Sequence, residues 1–281
     1  MITCNLMGGL GNQIFQIFAT ISYAIKSRNQ FKFLNLSTLG AGSTTIRNTF
    51  WNSFFNKLKP FLIDNIPQPI HVIREKDFTF NELPIYEMID TNCLIFGYFQ
   101  SYNYFHENYE MICRIIGLGK MKDDIIRKLN LNDEYLKNCI SIHFRLGDYK
   151  KIQEFHPLAT YEYYRNSLNF IKSKSVESYD ILYFCEDADI DDVMKTINRL
   201  ENEFQDYKFF RGENKLEDWE QMLLMSCCHH NIIANSSFSW WAAYFNFWSD
   251  KIICYPSVWF GEVSKNNTKD LCPVEWNRIS V

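Results

Sequence analysis

Residues 139–149 read Cys-Ile-Ser-Ile-His-Phe-Arg-Leu-Gly-Asp-Tyr. The first seven form a short apolar run closed by a Gly-Asp turn, the pattern of a buried strand. They open a regular alternation: strand 139–145, helix 161–173, strand 180–184, helix 189–201, strand 207–210, helix 216–228, strand 231–234, helix 238–247 and strand 251–255. Strands joined through helices run parallel, because only a long crossover brings the chain back in the same direction. The stretch therefore reads as a doubly wound α/β lobe, and such sheets bind ligands beyond the carboxyl ends of their strands.

At the exit of the first of these strands stand His143, Arg145 and Asp148. Arginine offers a planar charged fork that grips two phosphate oxygens at once, which suits a departing diphosphate. Gly147 lets the backbone turn tightly, and Asp148 either caps the next segment or orients His143 and Arg145. The plain alternative is a strand ending in an ordinary ion pair, so other segments must decide. Residues 231–244, Asn-Ile-Ile-Ala-Asn-Ser-Ser-Phe-Ser-Trp-Trp-Ala-Ala-Tyr, give a strand, a hydroxyl-rich turn and an aromatic helix. Asn235, Ser236 and Ser237 fall where N-caps are favoured, with Ser239 in reach, and a helix start of this kind cradles anions. Trp240, Trp241 and Tyr244 read as core. The chain's opening has an apolar run followed by Gly8-Gly9-Leu10-Gly11-Asn12-Gln13 and a helix. It matches neither a dinucleotide fingerprint nor a P-loop.

Taken together, the Gly-Gly-Leu-Gly-Asn-Gln-Ile-Phe-Gln stretch at 8–16, the His-Phe-Arg-Leu-Gly-Asp-Tyr stretch at 143–149 and the Ala-Asn-Ser-Ser-Phe-Ser-Trp-Trp-Ala-Ala-Tyr stretch at 234–244 resemble the three signatures of the α1,2-fucosyltransferases, glycosyltransferase family 11. The resemblance spans nearly the whole chain. It implies a GT-B-like α/β fold, two Rossmann-like lobes with the donor site in the cleft and mostly on the C-terminal lobe. It also implies metal-independent, inverting transfer of L-fucose from GDP-fucose to the 2-hydroxyl of a galactoside. Carried over by position, Arg145 holds the β-phosphate, His143 and Asp148 line the reacting centre, and Gly9, Gly11, Asn12 and Gln13 approach the donor. Asn235, Ser236, Ser237, Phe238 and Ser239 bind it from the other side.

Two positions depart from the family pattern. Leu146 stands where many members carry a second arginine, and strand alternation would aim it away from the site. Gln221 stands where an acid is usual for guanine, which leaves Asp218, Glu220 and Gln221 as the candidate guanine contacts. The acceptor hydroxyl also needs a base. His143 titrates near neutrality but has a guanidinium beside it, and Asp148, Glu186 and Asp187 are the other candidates, the last two with ribose contact as an alternative role.

Composition agrees without deciding. A chain of 281 residues holds two lobes, with residues 1–135 expected as the N-terminal lobe (Gly-rich loop and acceptor side) and 136–281 as the donor lobe. A net charge of −4 excludes general nucleic-acid or anionic-membrane binding, so phosphate recognition must be local. Nine cysteines without C-x-x-C spacing suggest neither a disulfide framework nor a zinc site; Cys227-Cys228-His229-His230 reads as a buried helix end. No cofactor, metal, leader or membrane-spanning segment is expected. A bacterial or viral cytoplasmic enzyme is the expectation, peripheral to the inner membrane if its galactose-containing acceptor is a lipid-linked oligosaccharide. Residues 40–84 lack periodicity and are expected to shape the acceptor side, and Gln100, Ser101 and Tyr102 after a strand at 93–99 suit either sugar recognition or packing. The tail, 258–281, has too little periodicity to assign. The competing readings are a GT-B enzyme with another GDP-sugar and a binding module without turnover.

Overall fold

The apolar run at 139 does form a strand, and five others join it in one parallel sheet. The structure is a computed structural model and describes residues 1–40, 46–85, 91–175 and 177–281. Its contacts divide it into two units, Met1–Lys120 with Asn266–Pro273 and Met121–Lys265 with Val274–Val281.

The first unit starts with β1 (Ile2–Cys4) and α1 (Leu10–Lys26), then the short strands β2 (Phe33–Leu34), β3 (Thr38–Leu39), β4 (Arg47–Asn48) and β5 (Leu62–Ile63). It continues through β6 (Ile70–Arg74), β7 (Asn92–Phe96) and α2 (Tyr109–Ile116). β1, β7 and β6 make a parallel sheet in that order, while β2–β5 and β3–β4 are separate pairs. Ile14, Phe15, Ile17, Phe18 and Ile21 of α1 are fully buried, and both phenylalanines meet Phe105 edge-on or tilted. The aperiodic stretch 40–84 thus holds three short strands and part of none other, with 41–45 outside the described residues.

The second unit takes up most of α3 (Leu118–Lys128) and all of α4 (Asp133–Lys137). Both anchor there, so the division falls earlier than residue 135. Lys122 Nζ donates to the Phe245 carbonyl at 2.9 Å, and the Leu136 carbonyl accepts from the His229 N–H at 3.1 Å. The rest alternates: β8 (Cys139–His143), α5 (Tyr161–Lys174), β9 (Asp180–Phe184), α6 (Ile190–Glu203), β10 (Lys208–Arg211), α7 (Asp218–Cys227), β11 (His230–Ile232), α8 (Ser237–Tyr244), β12 (Ile253–Pro256) and β13 (Asn277–Ile279). Thr160 caps α5 by accepting the Tyr163 N–H, and Val193, Ile197 and Leu200 at helical spacing bury one face of α6. They pack with Ile140, Ile142, Ile181 and Tyr183 of the central strands.

The sheet order is β10-β9-β8-β11-β12-β13, every pair parallel. In chain order within the unit this is 3-2-1-4-5-6, the doubly wound arrangement whose switch point lies between the first and fourth strands, here β8 and β11. Two expectations need correction. β8 stops at His143, two residues short of Arg145, because Gly147 at φ +37° turns the chain away after Phe144 makes a last bond to the Phe184 carbonyl. The unassigned tail contains a strand, β13, which extends the sheet beyond β12.

Candidate active site

At a switch point the loops from two neighbouring strands leave toward opposite faces and open a crevice between them. Here those loops are 144–151 after β8 and 233–236 before α8. Arg145 lies in the first, its side chain 22% exposed. Nη2 pairs with Asp148 at 2.5 Å, Nη1 pairs with Glu186 beyond β9, and the guanidinium lies over the Tyr149 ring. The Tyr149 hydroxyl donates to the Asn235 carbonyl at 3.3 Å, and the His143 ring stands 5.4 Å from that of Phe238. Segments some ninety residues apart in sequence thus share one edge of the sheet, the juxtaposition on which the sequence reading depends.

Each side chain's state follows from its surroundings. His143 is buried, and burial together with the Arg145 charge lowers its pKa to about 3, so the imidazole is neutral at working pH. Its Nδ1 is buried without a partner. Gly147 cannot be replaced freely: its φ is positive, and a Cβ would stand 3.1 Å from both Glu186 carboxylate oxygens. Asp187 pairs with Arg211. Leu146 is a loop residue rather than a strand residue, and it packs against the core.

In the serine turn, Ser236 is the N-cap of α8 and accepts the Phe238 N–H at 3.3 Å. Two residues expected to contact the ligand are occupied otherwise. The Ser239 hydroxyl is fully buried and bonds the Ala234 and Ser236 carbonyls, and buried Asn235 donates both amide hydrogens to the Pro157 and Trp259 carbonyls. These two side chains build the turn. Half-buried Ser237 and Phe238, with the first-turn N–H groups that have no intrahelical acceptor, are what remains for a ligand.

On α7, Glu220 is likewise engaged internally, accepting the Glu217 N–H at 2.9 Å in a capping box and pairing with Lys128 at 2.7 Å. Exposed Asp218 and half-buried Gln221, whose amide donates to the Leu216 carbonyl, are the open positions among the three.

The glycine turn of the first unit is laid out separately. Gly8 takes φ +77°, and Gly9, the N-cap of α1, has open space where a Cβ would be. Gly11 is buried, half-buried Asn12 accepts from the Gln100 amide at 2.8 Å, and buried Gln13 donates to the Gly8 and Asn48 carbonyls. Gln13 holds the turn together. Gln16, absent from the sequence-derived set, does the same by bonding both the N–H and the carbonyl of Met7.

The Cys227–His230 patch is a buried helix end leading into β11: His229 meets Asp250 at 3.0 Å and His230 meets Tyr179 at 3.1 Å. Among the described residues no group of three or more His, Cys, Asp or Glu could hold a metal ion. No helix among them is long and apolar enough to cross a membrane.

The model of Glycosyl transferase family 11 matches residues 1–280. The chain belongs to glycosyltransferase family 11. It is 30% identical to an alpha-1,2-colitosyltransferase of Escherichia coli, over 99% of both chains. It is 28% identical to the O-antigen biosynthesis glycosyltransferase WbnK of Escherichia coli, over 98% of this chain and 99% of that one. Among solved structures, a GDP-bound mutant of Arabidopsis thaliana FUT1 aligns with 90% of this chain and 69% of its own, at 10% identity and a TM-score of 0.47. The E. coli ADP-heptose heptosyltransferase II covers 57% of this chain and 43% of its own, at 13% identity and a TM-score of 0.37. As a family 11 member, the chain is a glycosyltransferase that uses a nucleotide sugar, on an α/β fold.

Proposed function

We propose that this enzyme transfers L-fucose from GDP-β-L-fucose to the 2-hydroxyl of a galactoside, with inversion to an α1,2 linkage and without a metal. The observation that carries the reading is that the loop bearing Arg145 meets the start of α8, through Tyr149 on Asn235 and His143 beside Phe238, at the switch point of a 3-2-1-4-5-6 sheet. A guanidinium on one side and helix N–H groups on the other are what a diphosphate leaving group requires as its charge grows. The bond from the sugar's anomeric carbon to the β-phosphate oxygen breaks, and the acceptor O2 bonds to that carbon from the opposite face. The acceptor proton passes to a base or to water. Neutral His143, with its depressed pKa, is a poor base, and Asp148 and Glu186 are both paired with Arg145. Early loss of GDP makes a weak base sufficient, because the oxocarbenium-like sugar is then a strong electrophile.

A second reading has one observation behind it, the relative named as an alpha-1,2-colitosyltransferase. Colitose is L-fucose without its 3-hydroxyl, so the two donors differ by a single group. Parallel assays with GDP-fucose, GDP-colitose and a set of β-galactosides, with linkage NMR of the product, separate the two. GDP-fucose is expected to be preferred, and exclusive use of the 3-deoxy donor would reassign the enzyme.

Arg145→Ala should lower turnover by about a hundred- to a thousandfold, the usual effect of removing a preorganised charge from a transition state. Near-normal transfer by the folded variant would overturn the site. Transfer should also persist in excess EDTA, since guanidinium and helix N–H groups fill the role a cation would have. Activity abolished by the chelator and restored by a divalent ion would refute that.

A further inference from the structure

Two acids are buried among the described residues, Glu220 in its capping box and Asp189. Asp189 occupies the N-cap position of α6, where a carboxylate ordinarily accepts N–H groups of its own helix, yet it makes no such bond. Oδ2 instead accepts the Gly147 N–H at 2.6 Å, and Oδ1 meets Lys150 Nζ at 2.8 Å. Its backbone N–H donates to the Glu186 carbonyl at 3.0 Å. One residue therefore ties together the loop after β8 and the loop after β9. Asp148 and Glu186, the two carboxylates that hold the ends of the Arg145 fork, belong to those two loops.

Burying a carboxylate is unfavourable unless charged or N–H partners surround it, and here both partners come from the 147–150 turn. Gly147 takes φ +37° with Glu186 beside it, and glycine's backbone freedom leaves the bond to Asp189 to hold the turn in that geometry. We infer that Asp189 is a positioning residue of the donor site: by fixing the two loops it sets the aim of Arg145 at a nucleoside diphosphate, without touching the ligand itself. This rests on the role proposed above for Arg145.

GDP binding to the full-length protein, measured by calorimetry, tests it. Asp189→Asn keeps an acceptor for Gly147 but turns an amide N–H₂ toward the Lys150 ammonium. It should weaken GDP binding about tenfold or more and raise KM for the donor in parallel, with the acceptor KM unchanged, as expected when a reacting group is displaced by a fraction of an ångström. The loss should be non-additive with Arg145→Ala: once the fork is gone, misaiming it has little further effect. A role in stability alone would lower Tm but leave GDP affinity of the folded protein intact, and a separate effect on binding would make the two substitutions multiply. Either result overturns the inference. If Asp189→Asn does not fold, Lys150→Met removes one anchor and should weaken GDP binding about threefold, and unchanged affinity there has the same force. Wild-type protein that fails to bind GDP would sink the donor site and this inference together, whereas wild-type binding with unaltered variants sinks this inference alone.

Discussion

His143 shows how one residue's surroundings fix its chemistry. Free histidine titrates near 6.5, but burial and Arg145 bring His143 to about 3, and burial brings His230 to about 4. Between pH 6.5 and those values the unfolded chain takes up protons that the folded protein refuses, so stability falls as pH falls through that window. The loss for a residue buried as His143 is should reach a few kcal/mol at the acid end. Thermal unfolding followed from about pH 7 to about pH 4.5 should show a falling Tm, with a shallower slope in His143→Gln. An unchanged slope in that variant would mean that the imidazole is not held neutral. The residue scale is also where the sequence spoke most clearly and misled most easily. Arg145 and Ser236 could be picked out because a charged fork and a cap residue are chemically distinctive. The parts of Asn235, Ser239 and Gln13 in building their turns could not, since an amide or hydroxyl that holds a loop looks in sequence like one that holds a ligand.

At the level of elements, the alternation from β8 to β12 was legible because its helices and strands show a period, 3.6 or 2, between polar breaks. The end of β8 was not, because Phe144 and Arg145 continue the apolar–polar alternation while the chain has already turned. Nor could sequence show that Asp189 belongs to a turn 42 residues earlier, since an acid at a helix start is ordinary. The same ambiguity covered α7, and geometry resolves it into a prediction. Glu220 serves the capping box and Lys128, so Glu220→Gln, which keeps a cap acceptor but loses the ion pair, should reduce stability by at most about 1 kcal/mol and leave GDP affinity unchanged. Asp218 and Gln221 are the positions left to read a base, so Asp218→Ala with Gln221→Ala should narrow the preference for GDP over ADP. Competition binding of the two nucleotides decides between them. Loss of that preference in Glu220→Gln alone would move guanine recognition to the buried acid.

For the whole molecule, the least legible region turns out to be structural. The chain contributes 266–273 to the first unit, and Val274–Val281 returns to the second and supplies β13. That strand has three residues at a sheet edge, too short for periodicity to register. It closes the edge of β12: the Ile279 carbonyl accepts the Ser257 N–H at 2.7 Å, and Arg278 Nη2 donates to the Ser257 carbonyl at 2.6 Å. Trp276 packs on Trp240 of α8 at 5.4 Å between ring centroids, and Ile279 enters the core. Ser257 lies just before Trp259, whose carbonyl holds Asn235, so support for the serine turn runs through this tail. Truncation after Pro273 should therefore expose an unpaired strand edge, strip a tryptophan contact from α8, lower Tm sharply and abolish GDP binding. Truncation after Ile279 removes only exposed Ser280 and Val281 and should change neither. Melting curves and GDP titrations of the two truncated chains make the comparison. If the shorter chain folds and binds GDP as wild type does, β13 is an ornament of the sheet and the turn at Asn235 is held from elsewhere.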